Sequence, residues 1–91
     1  MVFTERARAD LRSVITYIAK DNPPVAEKLR RSIMEVLLGL SDSPYRGRPG
    51  RTEDTREIVL HASYVAAYRV KGSVVEILTV HHTARLWPKD F

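Results

Sequence analysis

The 91-residue chain suffices for one domain with a single modest core, and its 44% apolar against 29% charged residues is the balance of a globular protein. It has no cysteine, which excludes disulfides and thiolate chemistry, and no apolar run approaches the ~20 residues of a membrane-spanning helix. The formal charge is +4 and eleven of the 15 basic residues are arginine, whose planar fork suits phosphate and carboxylate, so the excess points to nucleic acid or an acidic protein partner.

Met1 leads almost directly into a charged, patterned helix, so no signal peptide is expected and the expected location is the cytoplasm. Val2 and Phe3 suit the stub of an edge strand, and Thr4 can cap the helix that follows. Ala7, Leu11, Val14, Ile15 and Ile18 then recur at the spacing of one helical face, with Arg6, Arg8, Asp10, Arg12, Ser13 and Lys20 on the remainder. Tyr17 lies off that stripe and reads as a flanking packer.

Asp21-Asn22-Pro23-Pro24 is the strongest punctuation in the chain. Asn22 suits an N-cap and Pro23 the first helical position, where its missing N–H costs nothing. The second helix runs to about Leu40, with Ala26, Leu29, Ile33, Val36, Leu37 and Leu40 as its buried stripe. So short a linker folds the helices back on one another as a hairpin. Met34 and Leu38 fall outside the stripe, where they either widen the core face or belong to a partner groove.

Ser41 to Asp54 has no apolar period and reads as a loop, carrying Arg46, Arg48 and Arg51 among Pro44, Gly47, Pro49 and Gly50. Spaced Arg and Gly suit phosphate, although no GxxxxGK[ST] loop is present. Strands are expected over Arg56 to His61, Tyr64 to Val70 and Ser73 to His81, an antiparallel meander. Lys71-Gly72 as the hairpin turn pairs Tyr68 with Val75, Ala66 with Ile77 and Val65 with Leu78. Tyr64, Ala66, Tyr68, Val70, Val75 and Ile77 then face the helices, while Val65, Ala67, Arg69, Val74, Glu76, Leu78, Val80 and His82 face away. Arg69 lies diagonal to Glu76, within reach of a cross-strand pair. A three-residue turn about Ala62-Ser63 puts Ile58 and Leu60 on the core face and Glu57 opposite Arg69. The class expected is α+β, an N-terminal two-helix hairpin packed on one face of a small antiparallel sheet.

Neighbouring His81 and His82 point to opposite strand faces, and with His61 they form no recognisable metal spacing, so neither metal nor cofactor is expected. No GxSxG elbow or paired-carboxylate motif is present either. What remains is Arg56, Arg69, His82, Arg85 and Trp87 around the last strand. Metal-free RNA cleavage needs a base, a cation for the phosphorane and an acid, which His82 with arginines can supply. A protein-binding surface would use Arg and Trp as anchors instead. Spacing alone does not choose between them.

The order RADLRSVITYIAKDNPPVAEKL, GRPGR, TREIV, YVAAYRV and VEILTVHHTARLWP resembles the RelE/ParE superfamily of toxins from bacterial type II toxin–antitoxin modules, over nearly the whole chain. That resemblance implies a cytoplasmic toxin in a hetero-oligomer with a DNA-binding, ParD-like antitoxin that neutralises it. RelE-like members cut mRNA on the ribosome without a metal, whereas ParE-like members act on DNA gyrase. The nuclease branch carries an Arg where this chain has Val65, and another where it has Thr83, with Arg85 two residues on. A Tyr follows near the C-terminus, where Trp87 and Lys89 stand here. The departures favour the ParE-like reading, a gyrase-targeting protein rather than a catalyst, with ribosome-dependent endoribonuclease as the alternative. Catalytic candidates in that alternative are Arg56, Arg69, His82 and Arg85. Target binding is expected at His82, Arg85 and Trp87, and antitoxin binding at Met34, Leu38, Arg46, Arg48 and Arg51.

Overall fold

A computed structural model describes residues 1–61 and 63–83. Strand β1 (Val2–Phe3) leads into α1 (Glu5–Asp21), and α2 (Pro23–Gly39) follows after one residue. Thr4 caps α1 in an extended conformation, its Oγ1 accepting from the Ala7 amide at 3.0 Å. Asn22 serves both helices: its N–H donates to Ile18 O at 3.0 Å, closing α1, and its Oδ1 accepts from Val25 N at 3.2 Å, opening α2. With Pro23 and Pro24 in the first turn, the chain has no room to do anything but reverse. Ala7, Ala26, Leu29, Ile33, Leu37 and Leu40 are buried, while Leu11, Val14, Ile15, Ile18 and Val36 pack partly buried against the same core. Each fully buried leucine or isoleucine contributes about 1.5–3 kcal/mol, so these two stripes fix how the hairpin lies on the sheet.

The sheet adds β2 (Arg48–Pro49), β3 (Arg56–His61), β4 (Tyr64–Lys71) and β5 (Val74–His82), in the order β1-β5-β4-β3-β2. The expected meander is its centre. β1 lies parallel to β5, and the other pairings are antiparallel. β2 is a short edge strand inside the segment read as a loop.

Three expected registers are corrected. Lys71 belongs to β4 and pairs with Val74, so Gly72 and Ser73 make the turn, with Gly72 taking the positive φ of +59°. This moves the partner of Tyr68 from Val75 to Ile77 and sets Arg69 directly opposite Glu76 rather than diagonal, their Nε and Oε1 2.7 Å apart. The register then shifts between Ala67 and Tyr68: Ala67 pairs with Thr79 and Tyr68 with Ile77, leaving Leu78 as an extra residue. One inserted residue sends every later side chain to the other face. Val80 and His82 therefore join Ala66 and Tyr64 on the helix side, and Val65 pairs with His81 instead of Leu78. Finally, His61 pairs with Tyr64 and Val59 with Val65, so Leu60 is a second insertion and Glu57 stands opposite Ala67, not Arg69. Ala62, part of the expected turn, lies outside the described residues. Ile58 and Leu60 still reach the core, as expected.

The far end of the core is closed by the segment after α2. The buried Tyr68 hydroxyl donates to Pro44 O at 2.8 Å and accepts from Gly47 N at 2.9 Å. Arg56 Nη1 donates to Tyr45 O at 3.2 Å and Gly47 O at 2.9 Å, and its guanidinium lies 4.9 Å from the Tyr45 ring centre. A Cβ on Gly47 would stand 2.5 Å from Glu57 O and 2.6 Å from Tyr68 Oη, so only glycine permits this approach.

Tyr68→Phe keeps the ring but strands a buried amide and carbonyl. It is expected to cost about 1–3 kcal/mol, seen as a lower urea midpoint at unchanged slope. Gly47→Ala should cost at least as much, because backbone must move to admit the methyl. Midpoints equal to wild type would show that this closure contributes nothing.

Candidate functional site

The open edge of β5 is where α1 and the sheet meet. β1 covers only Glu76 and Ile77 of that edge. Beyond it, side chains of the helix region take over: Thr4 Oγ1 donates to Leu78 O at 2.9 Å, and Val80 N donates to Asp10 Oδ2 at 3.1 Å. The inserted Leu78 thus has its edge partners supplied from the start of α1.

Past Asp10, α1 and β5 leave between them a cleft of about 650 Å³ lined by Asp10, Ser13, Val14, Tyr17, Tyr64, Val80, His81 and His82. His82 and Tyr64 meet edge to face, ring centres 5.4 Å apart and planes at 84°. Tyr17, read from the sequence as a packer, is 70% exposed at the cleft's lip. His81 is buried, its Nδ1 3.2 Å from Thr79 Oγ1. A second, smaller groove shares Ser13 and Tyr17 and continues to Arg12, Thr16 and Lys20. On the other flank of α1, Phe3, Leu11, Ile15 and Met34 form an apolar groove rimmed by Arg8, Arg12 and Arg30.

The expected nuclease set does not converge among the described residues. Arg56 pairs in register with Tyr68 on the helix side of the sheet, its guanidinium committed to Tyr45 and Gly47. Arg69 is on the opposite face, bound to Glu76. His82 shares the helix side with Arg56 but pairs with Tyr64, four residues from Tyr68 along β4, a separation of roughly 13 Å at the strand rise. Arg85 and Trp87 lie outside the described residues. Of the expected antitoxin contacts, Met34 lines the apolar groove and Leu38 is 58% exposed. Arg46 and Arg51 are exposed, while Arg48 pairs with Glu57 at 3.0 Å. Glu27, on the outer face of α2, has its carboxyl held below the usual range chiefly by the Arg30 hydrogen bond. Arg30 is raised in return. No group of His, Asp and Glu side chains suited to a metal occurs among the described residues.

Residues 1–87 match the family described as the ParE toxin of type II toxin–antitoxin systems, parDE. The chain belongs to the ParE toxin family. It is 40% identical over 88 residues to the candidate toxin Y4kP of Sinorhizobium fredii, covering 96% of this chain and 91% of that one. To toxin RelE2 of Caulobacter vibrioides it is 35% identical over 86 residues, covering 94% and 97%. Its fold is similar to a chain of the chromosomal ParDE system from P. aeruginosa, with a TM-score of 0.77, 27% identity, and coverage of 88% and 90%. The α+β reading and the superfamily resemblance are both borne out. Among the described residues of this ParE-family chain, no helix is long and apolar enough to cross a membrane.

Asp10 and Tyr64 were not read from the sequence as site residues, because it is the β5 insertion that sets Val80 and His82 beside Ala66 and Tyr64. Asp10→Ala removes the acceptor for the Val80 amide, whereas Asp10→Asn retains one. Hydrogen exchange at Val80 should accelerate roughly tenfold or more in the first variant, as expected for losing a bond to a charged acceptor, and far less in the second. Equal rates in all three proteins would mean that this bond does not hold the edge.

Proposed function

We propose that this ParE-family toxin arrests growth by binding DNA gyrase and is neutralised by a ParD-like antitoxin made with it. The observation that supports binding over catalysis is the scatter of Arg56, Arg69 and His82 over two faces and two ends of the sheet. A metal-free phosphodiester cleavage needs base, acid and phosphorane cation around one phosphate, and losing that geometry costs orders of magnitude in rate. Two of these side chains, moreover, already hold structural partners: Arg56 braces the segment after α2, and Arg69 balances Glu76. A surface that works by binding has no such requirement. The RelE name of the Caulobacter vibrioides relative favours the second reading, ribosome-dependent mRNA cleavage.

The antitoxin is assigned to the helical hairpin. Met34 and its apolar neighbours offer a floor, Arg8 and Arg12 are exposed cations at its rim, and Leu38 extends the apolar face. The similar structure is that of a ParDE system, which supports such a partner. Arg46, Arg48 and Arg51 are assigned to an acidic stretch of the same antitoxin.

Purified, antitoxin-free protein is expected to stop gyrase from supercoiling relaxed plasmid, or to make linear plasmid accumulate, while ribosome-bound mRNA stays intact. Unchanged supercoiling together with mRNA cleavage that His82→Ala or Arg85→Ala abolishes would establish the nuclease reading instead. Replacing Arg46, Arg48 and Arg51 by Ala should weaken antitoxin binding by about tenfold in total, since exposed pairs contribute only ~0.2–1 kcal/mol each. An unchanged affinity would remove those arginines from the antitoxin surface.

A further inference from the structure

We propose that the cleft between α1 and the end of β5 is the docking surface for the toxicity target, with Tyr17 as its anchor, and that its occupant is an acidic protein segment carrying an apolar side chain. The inference rests on the chain being a growth-arresting toxin, but not on which target it arrests.

Several observations lead there. This cleft, at about 650 Å³, is larger than the hairpin groove at about 430 Å³, and it lies on the opposite flank of α1. Tyr17 stands at its lip with 70% of its surface in water, contributing nothing to the core. An exposed tyrosine beside a cleft with an apolar floor is the usual make-up of an interface hot spot, because it brings a large contact area and a hydroxyl at small entropic cost. Val14, Val80 and the Tyr64 ring provide that floor. The adjoining groove, sharing Tyr17, ends at Arg12 and Lys20, both exposed and neither in an ion pair among the described residues. Two such cations flanking an apolar recess select a segment with carboxylates beside its apolar anchor. Asp21 follows Lys20 directly, yet the cleft and its adjoining groove together are lined by Arg12 and Lys20 against the single carboxylate of Asp10, which Arg6 Nε already approaches at 4.0 Å.

Asp10 also separates the protein occupant from a nucleic acid. Its carboxylate, which accepts from Val80 N at 3.1 Å and lies 4.0 Å from Arg6 Nε, belongs to the same lining as the Tyr64–His82 pair, so the phosphates of a stacked base would face it with no donor of their own to offer. A peptide brings N–H donors as well as carboxylates, and so meets Asp10 and Lys20 together.

The test expresses the full chain from an inducible promoter with and without its antitoxin, in wild-type, Tyr17→Ala, Tyr17→Phe and Lys20→Glu forms. Lys20 is used rather than Arg12 because Arg12 also borders the hairpin groove. Tyr17→Ala and Lys20→Glu should each raise survival of induction at least tenfold. Antitoxin affinity should stay within twofold of wild type, with unchanged circular dichroism and melting temperature, and Tyr17→Phe should retain most of the arrest. Wild-type growth arrest by both variants overturns the proposal, as does a parallel loss of antitoxin binding, which would make this an antitoxin surface. If Tyr17→Ala instead abolishes binding of a single-stranded RNA oligonucleotide, the occupant is a nucleic acid and the assignment fails. Arrest that depends on Tyr17 while gyrase supercoiling is untouched supports the cleft and removes gyrase. A wild-type chain that arrests nothing overturns both.

Discussion

The hydroxyl of Thr4 ties the two ends of the fold together. It accepts from the Ala7 amide to start α1 and donates to the carbonyl of Leu78, the residue inserted into β5, while the Thr4 amide bonds Ile77 O at 3.0 Å. One side chain thereby serves as a helix cap and as the edge partner of a strand 74 residues later. The parallel β1 owes its place to the same contact: it is only Val2 and Phe3, too short to hold itself on the sheet without a helix anchored at its end. Once Thr4 is placed, Asp10 falls less than two turns up the helix, where its carboxylate meets the Val80 amide. The α1–β5 cleft begins where that row of contacts ends.

Local chemistry made the helices legible. As helix caps and first-turn residues, Thr4, Asn22 and Pro23 act within a few residues of themselves, and the apolar stripes of α1 and α2 are each the product of one period. The strand faces were legible as far as Tyr68. After that the alternation Leu78, Val80, His82 continues unbroken in the sequence, and nothing in it marks Leu78 as surplus. The insertion follows from packing: Val80 is 3% exposed and belongs to the helix-side core, a place it cannot reach without a change of parity. Leu60 in β3 makes the same case: it is the extra residue between the pairs Val59–Val65 and His61–Tyr64, and it is buried in the core beside a partly buried Ile58. A period-two reading cannot anticipate such shifts, and this is why His82 was expected on the wrong face.

The arginine excess also takes on a different meaning once the partners are known. Arg6, Arg30, Arg31, Arg48 and Arg69 stand within ion-pair distance of a carboxylate, and Arg56 is spent on two carbonyls and a tyrosine ring. Surface pairs of this kind contribute little to stability, and each such side chain must exchange its carboxylate before it can serve a partner. Composition alone suggested a generally basic molecule. The described arginines that remain exposed and outside such pairs are Arg8, Arg12, Arg46 and Arg51, found along α1 and in the segment after α2.

On the proposed assignments, this division places α1 at the centre of the molecule's associations. One flank helps form the hairpin groove through Leu11 and Ile15, and the other forms the wall of the β5 cleft through Ser13 and Tyr17. A 91-residue chain buries a modest fraction of its surface, so a partner that binds only the folded state adds to its stability by mass action. The helix that both grooves share is held to the sheet by Thr4 and Asp10 and to α2 by the bonds of Asn22. An antitoxin seated on the hairpin flank therefore braces the same helix that presents Tyr17, without needing to cover it. On the proposed assignments the two contact faces lie on opposite flanks of one helix, so the antitoxin neutralises by bulk or by reach around α1 rather than by filling the β5 cleft.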